Sequence, residues 1–252
     1  MQRPINKWTI RLTATGLFVA ALLLVIILNP GLTYAHKTTH GSYTVFHDEP
    51  LAPALMARLD QATALLKTSE LYTPKLRLDI CLNDGSSYPA LVQALRGQAF
   101  GWGFYNKVVL RGNANIAANW IELNGYKWNL TQLLAHEMTH CLQFESLGFW
   151  KSNPVANLPE WKWEGYAEYV ARQGDNQKSV ARNIARLLTA DATTWEVKLD
   201  DGTMAPRTYY DHWVLMQYCT NIKKMTYGQV LAATVKEQTV RQEMMRWFAR
   251  QK

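Results

Sequence analysis

Residues 136–140 read His136-Glu137-Met138-Thr139-His140, and the interpretation of the whole chain starts from this stretch. An α-helix has 3.6 residues per turn, so His136 and His140 project from one face, one turn apart. Two imidazoles at that spacing can hold one metal ion, and Glu137 can act as a general base toward a water bound to it. The alternative is a core helix whose two histidines are satisfied by protein groups.

The residues around this motif predict a buried, amphipathic helix. Apolar side chains recur at helical spacing from Leu130 to Phe144. Asn129 or Thr131 can cap the N-terminus of the helix, and Gly148 is a suitable C-terminal stop. The two histidines are therefore expected in the interior, where a metal site requires them.

A catalytic metal needs a third protein ligand, and the compact HExxHxxGxxH arrangement is excluded because the position of its last histidine holds Ser146. A better candidate lies in residues 158–169, Leu-Pro-Glu-Trp-Lys-Trp-Glu-Gly-Tyr-Ala-Glu-Tyr. Pro159 fits the first turn of a new helix, on which Glu164 and Glu168 are four residues apart and face the same way. One can bind metal while the other accepts a hydrogen bond from a ligating histidine. The alternative is a solvated helical face.

Together the two motifs resemble those of the gluzincins, the clan of zinc peptidases that contains thermolysin, and in particular those of small bacterial peptidase MA-like proteins. The second motif of those proteins reads roughly P-x-W-x-x-E-G-x-A-E-Y. The resemblance implies a zincin-like domain, Zn²⁺ as cofactor, Glu164 as the third zinc ligand and Glu168 as the residue that orients a histidine. The G-x-M-E-N motif of the aminopeptidases in this clan is absent, so the resemblance does not extend to aminopeptidase activity.

A third segment, residues 209–218, resembles the downstream helix of the same family, in which a tyrosine precedes an apolar run. Gluzincins often use a downstream tyrosine or histidine to donate a hydrogen bond to the developing oxyanion. The resemblance implies this catalytic role for Tyr209, with Tyr210 and His212 as rivals. A tyrosine packed in the core is the alternative.

Upstream of the motif the sequence predicts a helix near residues 50–68 and strands around 75–82 and 107–111, the first strand from its alternation of polar and apolar residues. In gluzincins a strand at this point borders the cleft and pairs with an extended substrate. An ordinary hairpin strand is the alternative. The substrate-binding residues implied by the resemblance are Lys107, Val108, Val109, Leu110 and Arg111.

The N-terminal segment predicts export. Arg3, Lys7 and Arg11 accompany an apolar run from about residue 12 to residue 28, and Thr33-Tyr34-Ala35 offers small residues where a signal peptidase would cut. A cleaved signal peptide and a retained membrane anchor both remain open. Either outcome places the rest of the chain outside the cytoplasm, in the periplasm or cell envelope, because the positive flank stays inside.

The remainder of the chain, residues 36–252, is large enough for one domain with a substantial core. Residues 1–35 contain three basic residues and no acidic ones, so the net charge is +7 for the whole chain and +4 for residues 36–252. No nucleic-acid motif is present. Cys81, Cys141 and Cys219 form an odd set: buried thiols are expected, and spacing does not indicate a disulfide. Three histidines near its start are expected in a flexible tail rather than a metal site. They are His36, His40 and His47.

The sequence therefore predicts an α+β protein with a small sheet lobe over about 36–128 and a mainly helical lobe over 129–252, in which Lys236 to Lys252 is amphipathic. We expect the metal at the junction of the lobes. The predicted function is that of an exported zinc-dependent peptidase acting on a peptide or protein substrate. The alternative is an inactive zinc-containing binding or scaffold protein of the cell envelope on the same fold.

Overall fold

The computed structural model describes residues 7–152, 158–232 and 234–251. Within these ranges a small sheet occupies the N-terminal half and helices form most of the rest, which confirms the expected α+β class. Arg3 of the predicted positive flank and Lys252 at the end of the predicted last helix lie outside the described residues.

The helices and strands have the following bounds. The helices are α1 Lys7–Leu28, α2 Leu55–Leu66, α3 Tyr88–Arg96, α4 Leu130–Leu147, α5 Phe149–Ser152, α6 Glu160–Ala171, α7 Val180–Thr189, α8 Arg207–Gln217, α9 Tyr227–Leu231 and α10 Glu237–Ala249. The strands are β1 His36–His40, β2 Tyr43–His47, β3 Leu78–Cys81, β4 Gly101–Phe104, β5 Lys107–Leu110, β6 Asn113–Asn115, β7 Trp120–Leu123, β8 Tyr126–Asn129, β9 Glu196–Lys198 and β10 Met204–Pro206.

The main sheet has the order β1-β2-β3-β5-β4, with β2, β3 and β5 parallel and the two outer strands antiparallel to their neighbours. The predicted substrate-binding strand is therefore an interior strand. Its backbone pairs with β3 on one side and β4 on the other, so neither edge is available to a peptide. The expectation for residues 107–111 is wrong, and the neighbouring strand β4 lies at an edge of the sheet instead.

The side chains of that segment are also committed to the fold. Lys107 is buried and its Nζ donates to Asp79 Oδ2 at 3.0 Å. Val108, Val109 and Leu110 are buried in the core. Arg111 follows the strand, and its Nε donates to Gln93 Oε1 at 2.6 Å.

The three N-terminal histidines lie on a hairpin rather than a flexible tail. β1 and β2 pair antiparallel, with His36 opposite His47. His40 Nε2 lies 2.8 Å from Asp60 Oδ1, and His47 Nδ1 lies 2.9 Å from the carbonyl oxygen of Glu49. The flexible-tail expectation is wrong because the β-branched and aromatic residues of this segment form a strand pair.

Helix α4 carries the histidine motif through the middle of the molecule. As predicted, the side chain of Asn129 caps it by accepting from the backbone N–H of Gln132 at 3.1 Å, and Gly148 ends it with a φ of 77°. Strand β4 crosses α4 in direct contact. A Cβ at Gly103 would lie only 2.0 Å from the carbonyl oxygen of Glu137, so this crossing requires glycine.

Helix α6 packs between α4 and α8. A Cβ at Gly165 would lie 2.6 Å from the carbonyl oxygen of His212, so glycine here lets α6 approach α8 closely. This placement directs the face of α6 that carries Glu164 and Glu168 toward α4. All three cysteines are buried and free, as expected.

Candidate metal centre

The two histidines of α4 meet as the helical spacing predicts. His136 Nε2 and His140 Nε2 lie 3.0 Å apart, and the two rings are nearly perpendicular at an interplanar angle of 88°. Both side chains are buried. Each ring therefore presents one nitrogen to the same point in space.

Glu164 of α6 completes a triangle of donor atoms. Its Oε2 lies 3.2 Å from His136 Nε2 and 3.2 Å from His140 Nε2. Ligand atoms about 2.05 Å from a tetrahedral zinc ion are separated by roughly 3.3 Å, so these three atoms fit around a single ion. Imidazole nitrogen and carboxylate oxygen are also donors that zinc accepts in catalytic sites.

Glu137 adds a second carboxylate beside the histidines. One potential ligand atom from each of His136, Glu137 and His140 lies within 4.8 Å of the others, and this buried group could hold a metal ion. Burial raises the pKa of Glu137 above its usual range, against the opposing effect of the two histidines. Strand β4 lies directly against this residue, since a Cβ at Gly103 would meet the carbonyl oxygen of Glu137 and one at Gly101 would lie 3.6 Å from Glu137 Oε1.

Glu168 supports His136 from behind. Its Oε1 lies 3.0 Å from His136 Nδ1, and its other oxygen pairs with Arg172, the residue that directly follows α6. Burial alone would lower the pKa of His136, but its contacts with Glu164 and Glu168 outweigh burial and raise the pKa to about 10. Burial would raise the pKa of Glu168, but Arg172 and His136 hold it below its usual range.

Gln143 supports His140 in the same way, and the sequence reasoning did not identify it. Its Oε1 lies 2.8 Å from His140 Nδ1, while its Nε2 donates to the carbonyl oxygen of Trp163 at 3.0 Å and to Tyr227 Oη at 2.8 Å. Gln143 is three residues after His140 on α4, so helical spacing was the signal that could have revealed it.

Two aromatic rings flank the donors. Trp163 stacks on His140 with a centroid separation of 5.2 Å, and Tyr209 stacks on His136 at 5.8 Å. The negative charge of Glu164, followed by burial, raises the pKa of Tyr209, so its phenol stays protonated. The rivals lie elsewhere: Tyr210 is buried against Trp213. His212 is buried, its backbone packed against Gly165, and it does not line the cleft.

A cleft of about 1920 Å³ opens onto the donors. Its lining includes His136, Glu137, His140, Glu164 and Tyr209, together with all of β4. It also includes part of α1, which the sequence did not lead us to expect. Among the residues that the structure describes, no strand pairs with the outer edge of β4.

A scan against models of known protein families finds no match, and neither does a search of curated proteins. The case for function therefore depends on the two motifs and on the geometry around them.

A second group of possible metal ligands lies at the contact between α8 and α10 and consists of Asp211, His212 and Glu237. Arg241 forms ion pairs with both carboxylates of this group. The guanidinium donates to both oxygens of Asp211 at 2.6 and 2.5 Å and to Glu237 Oε1 at 2.8 Å. This group therefore reads as an ion-paired helix contact.

Proposed function

We propose that the protein is an exported zinc-dependent peptidase of gluzincin type. The observation that carries the proposal is the meeting of His136 Nε2, His140 Nε2 and Glu164 Oε2 within 3.0–3.2 Å of one another, beside Glu137 and at the wall of a large cleft. The buried Glu164 Oε2 makes no hydrogen bond among the described residues, which favours a metal ligand over a core helix with satisfied histidines.

In this proposal His136, His140 and Glu164 hold the zinc ion, which supplies Lewis acidity toward water and toward a peptide carbonyl. Gln143 would accept the Nδ1 proton of His140, and Glu168, 3.0 Å from His136 Nδ1, would hold His136 in the same way, so that both Nε2 atoms would be free to bind the ion. The two histidines are thereby fixed in one tautomer and one orientation.

Glu137 takes the proton of the attacking water and returns it to the amine nitrogen as the peptide bond breaks. Tyr209, protonated and stacked on His136, donates a hydrogen bond to the carbonyl oxygen as negative charge develops there.

The substrate lies along β4 in this scheme, which replaces the expectation for residues 107–111. All four residues of β4 line the cleft, and Gly103 lies directly against the backbone of Glu137. An extended peptide that pairs with Gly101–Phe104 would pass directly over the donors.

The test is zinc content and hydrolysis of a peptide library by the full chain, purified in detergent without a histidine tag. We expect about one zinc per chain in the wild type, and loss or strong weakening of zinc binding in His140→Ala and Glu164→Ala. Glu137→Gln should keep zinc and lose hydrolysis by about 10²–10⁴-fold. Glu145→Gln is the matched control, because Glu145 is exposed on the same helix and does not line the cleft.

Two results would contradict the proposal in different ways. If the wild-type protein contains no zinc under metal-replete conditions, the proposed metal site and the proposed enzymatic activity are both wrong. A wild-type protein that binds one zinc but cleaves nothing in the library favours the inactive, zinc-containing binding protein.

A further inference from the structure

The segment after α1 is built into the folded domain. Pro30 and Tyr34 are buried, and Tyr34 Oη donates to the carbonyl oxygen of Leu82 at 2.6 Å. The backbone N–H of Ala35 donates to Asp48 Oδ1 at 2.7 Å. Cleavage after Ala35 would remove Tyr34 from one of the two core clusters, together with the buried Pro30.

The last turn of α1 is also attached to the domain. Tyr88 Oη donates to the carbonyl oxygen of Ile27 at 2.6 Å, and Ile27 packs against the core cluster that contains Trp102 of β4. Leu24, Ile27 and Leu28 line the same cleft as the metal donors. The end of α1 is therefore one wall of the candidate active site.

The rest of α1 projects from the domain. Its segment Arg11–Leu28 is long and apolar enough to cross a membrane, and none of its residues is buried. Eighteen helical residues span roughly 27 Å, close to the thickness of the hydrocarbon core of a bilayer. With Leu28 at the outer surface, Leu24 lies one turn, about 6 Å, inside the outer leaflet.

Large exposed aromatic residues line the cleft as well. Trp150 is 83% exposed, Phe149 and Tyr105 are each 57% exposed, and Trp195 is 45% exposed. Aromatic side chains with one apolar face favour the membrane–water interface, and monomeric soluble proteins rarely expose so many together.

We infer that α1 is retained as an anchor and that the cleft opens at the outer surface of the bilayer, where it receives polypeptides tethered to the same membrane. The substrate class rests on the proposed peptidase function, whereas the position of the cleft does not. The exposed aromatic residues at the cleft contact the lipid interface, because they line the same cleft as the end of α1. The exposed surface of α1 is itself apolar enough to lie in lipid.

The position of the cleft is tested on the full chain in phosphatidylcholine vesicles. A spin label at Trp150→Cys should be accessible to oxygen dissolved in the membrane and protected from an aqueous nickel complex. A label at Leu188→Cys is the control, because Leu188 is exposed on α7 and does not line the cleft. The three native cysteines are buried and do not compete for the label.

Equal aqueous accessibility at the two positions overturns the inference, whatever the protein catalyses. The intact mass of the protein isolated from membranes shows where its N-terminus lies. An N-terminus at His36 also overturns the inference, because α1 would have been removed.

The substrate class is tested with acylated peptides in the same vesicles. One peptide carries its cleavage site about 5 residues from the acyl chain, a reach of at most about 18 Å, and the other about 25 residues away. Wild type should cleave the near site at least as fast as the far site, and Glu137→Gln should cleave neither. If only the far site is cleaved, the cleft lies away from the bilayer. That result overturns the inferred position of the cleft and leaves the proposed peptidase activity intact. If the wild type cleaves neither peptide, the proposed peptidase activity and the inferred substrate class are both wrong.

Discussion

Substitution of Gly103 by alanine tests the contact between β4 and α4 on which the geometry of the candidate site depends. The added Cβ would lie 2.0 Å from the carbonyl oxygen of Glu137 and 2.9 Å from His140 Cβ. Real Cβ atoms do not approach other atoms closer than 3.0 Å, so the strand and the helix must separate by about 1 Å. Helix α4 cannot retreat freely, because α2 and α6 pack against it.

Overpacking of this kind costs about 1–3 kcal/mol, and the cost should fall at the upper end because the clash is with backbone. For a chain of this size, about 3 kcal/mol lowers Tm by roughly 6–12 °C. The assay is thermal unfolding of the full chain in detergent, followed by circular dichroism. Zinc affinity and hydrolysis should fall too, since both Glu137 and His140 would be displaced.

Gly228→Ala is the matched control, because a Cβ there meets only Thr226 Oγ1 at 3.9 Å and the residue lies in α9. This change should leave the stability unaltered or raise it by up to about 1 kcal/mol. If Gly103→Ala unfolded within 1 °C of the wild type and hydrolysed peptides at the wild-type rate, β4 would not cross α4 as described. The proposed path of the substrate would then be lost.

Three other expectations follow from the same geometry. Gln143→Ala should weaken zinc binding by about 10–100-fold, since His140 loses the group that fixes its orientation, and competition with a chromophoric chelator measures this. Removal of zinc with EDTA should lower Tm, because free zinc at 100 times its Kd stabilises the folded state by about 2.7 kcal/mol. Burial raises the pKa of Cys81, Cys141 and Cys219, so iodoacetamide at pH 8 should leave the native protein unmodified and label all three thiols after denaturation, as mass spectrometry would detect.

The parts of the site that depend on local spacing could be predicted from the sequence. Helix α4, its cap at Asn129 and its end at Gly148 follow from residues that are neighbours in the chain. The common face of His136 and His140 follows from the helical period alone. Glu164 was predicted as a ligand from the resemblance of a second motif to a known family, not from helical spacing. Its carboxylate lies within 3.2 Å of both imidazoles.

The parts that depend on the order of strands could not be predicted in this way. Residues 107–111 have the composition of a strand, and Lys107–Leu110 form one, but nothing in a strand's own sequence says whether it lies inside a sheet or at its edge. The signal for the strand that crosses α4 was Gly103, which allows close contact with that helix. That signal has meaning only once the partner helix is known.

The close contact that Gly165 makes with α8 also sets the order in which the donors assemble. His136 and His140 are in position as soon as α4 forms, whereas Glu164 arrives only when α6 has docked between α4 and α8. An unfolded or half-folded chain thus offers two imidazoles and no third ligand, which holds zinc weakly. If the chain is exported unfolded, as the proposed function implies, the complete set of donors would come together only on the far side of the membrane, where α6 docks.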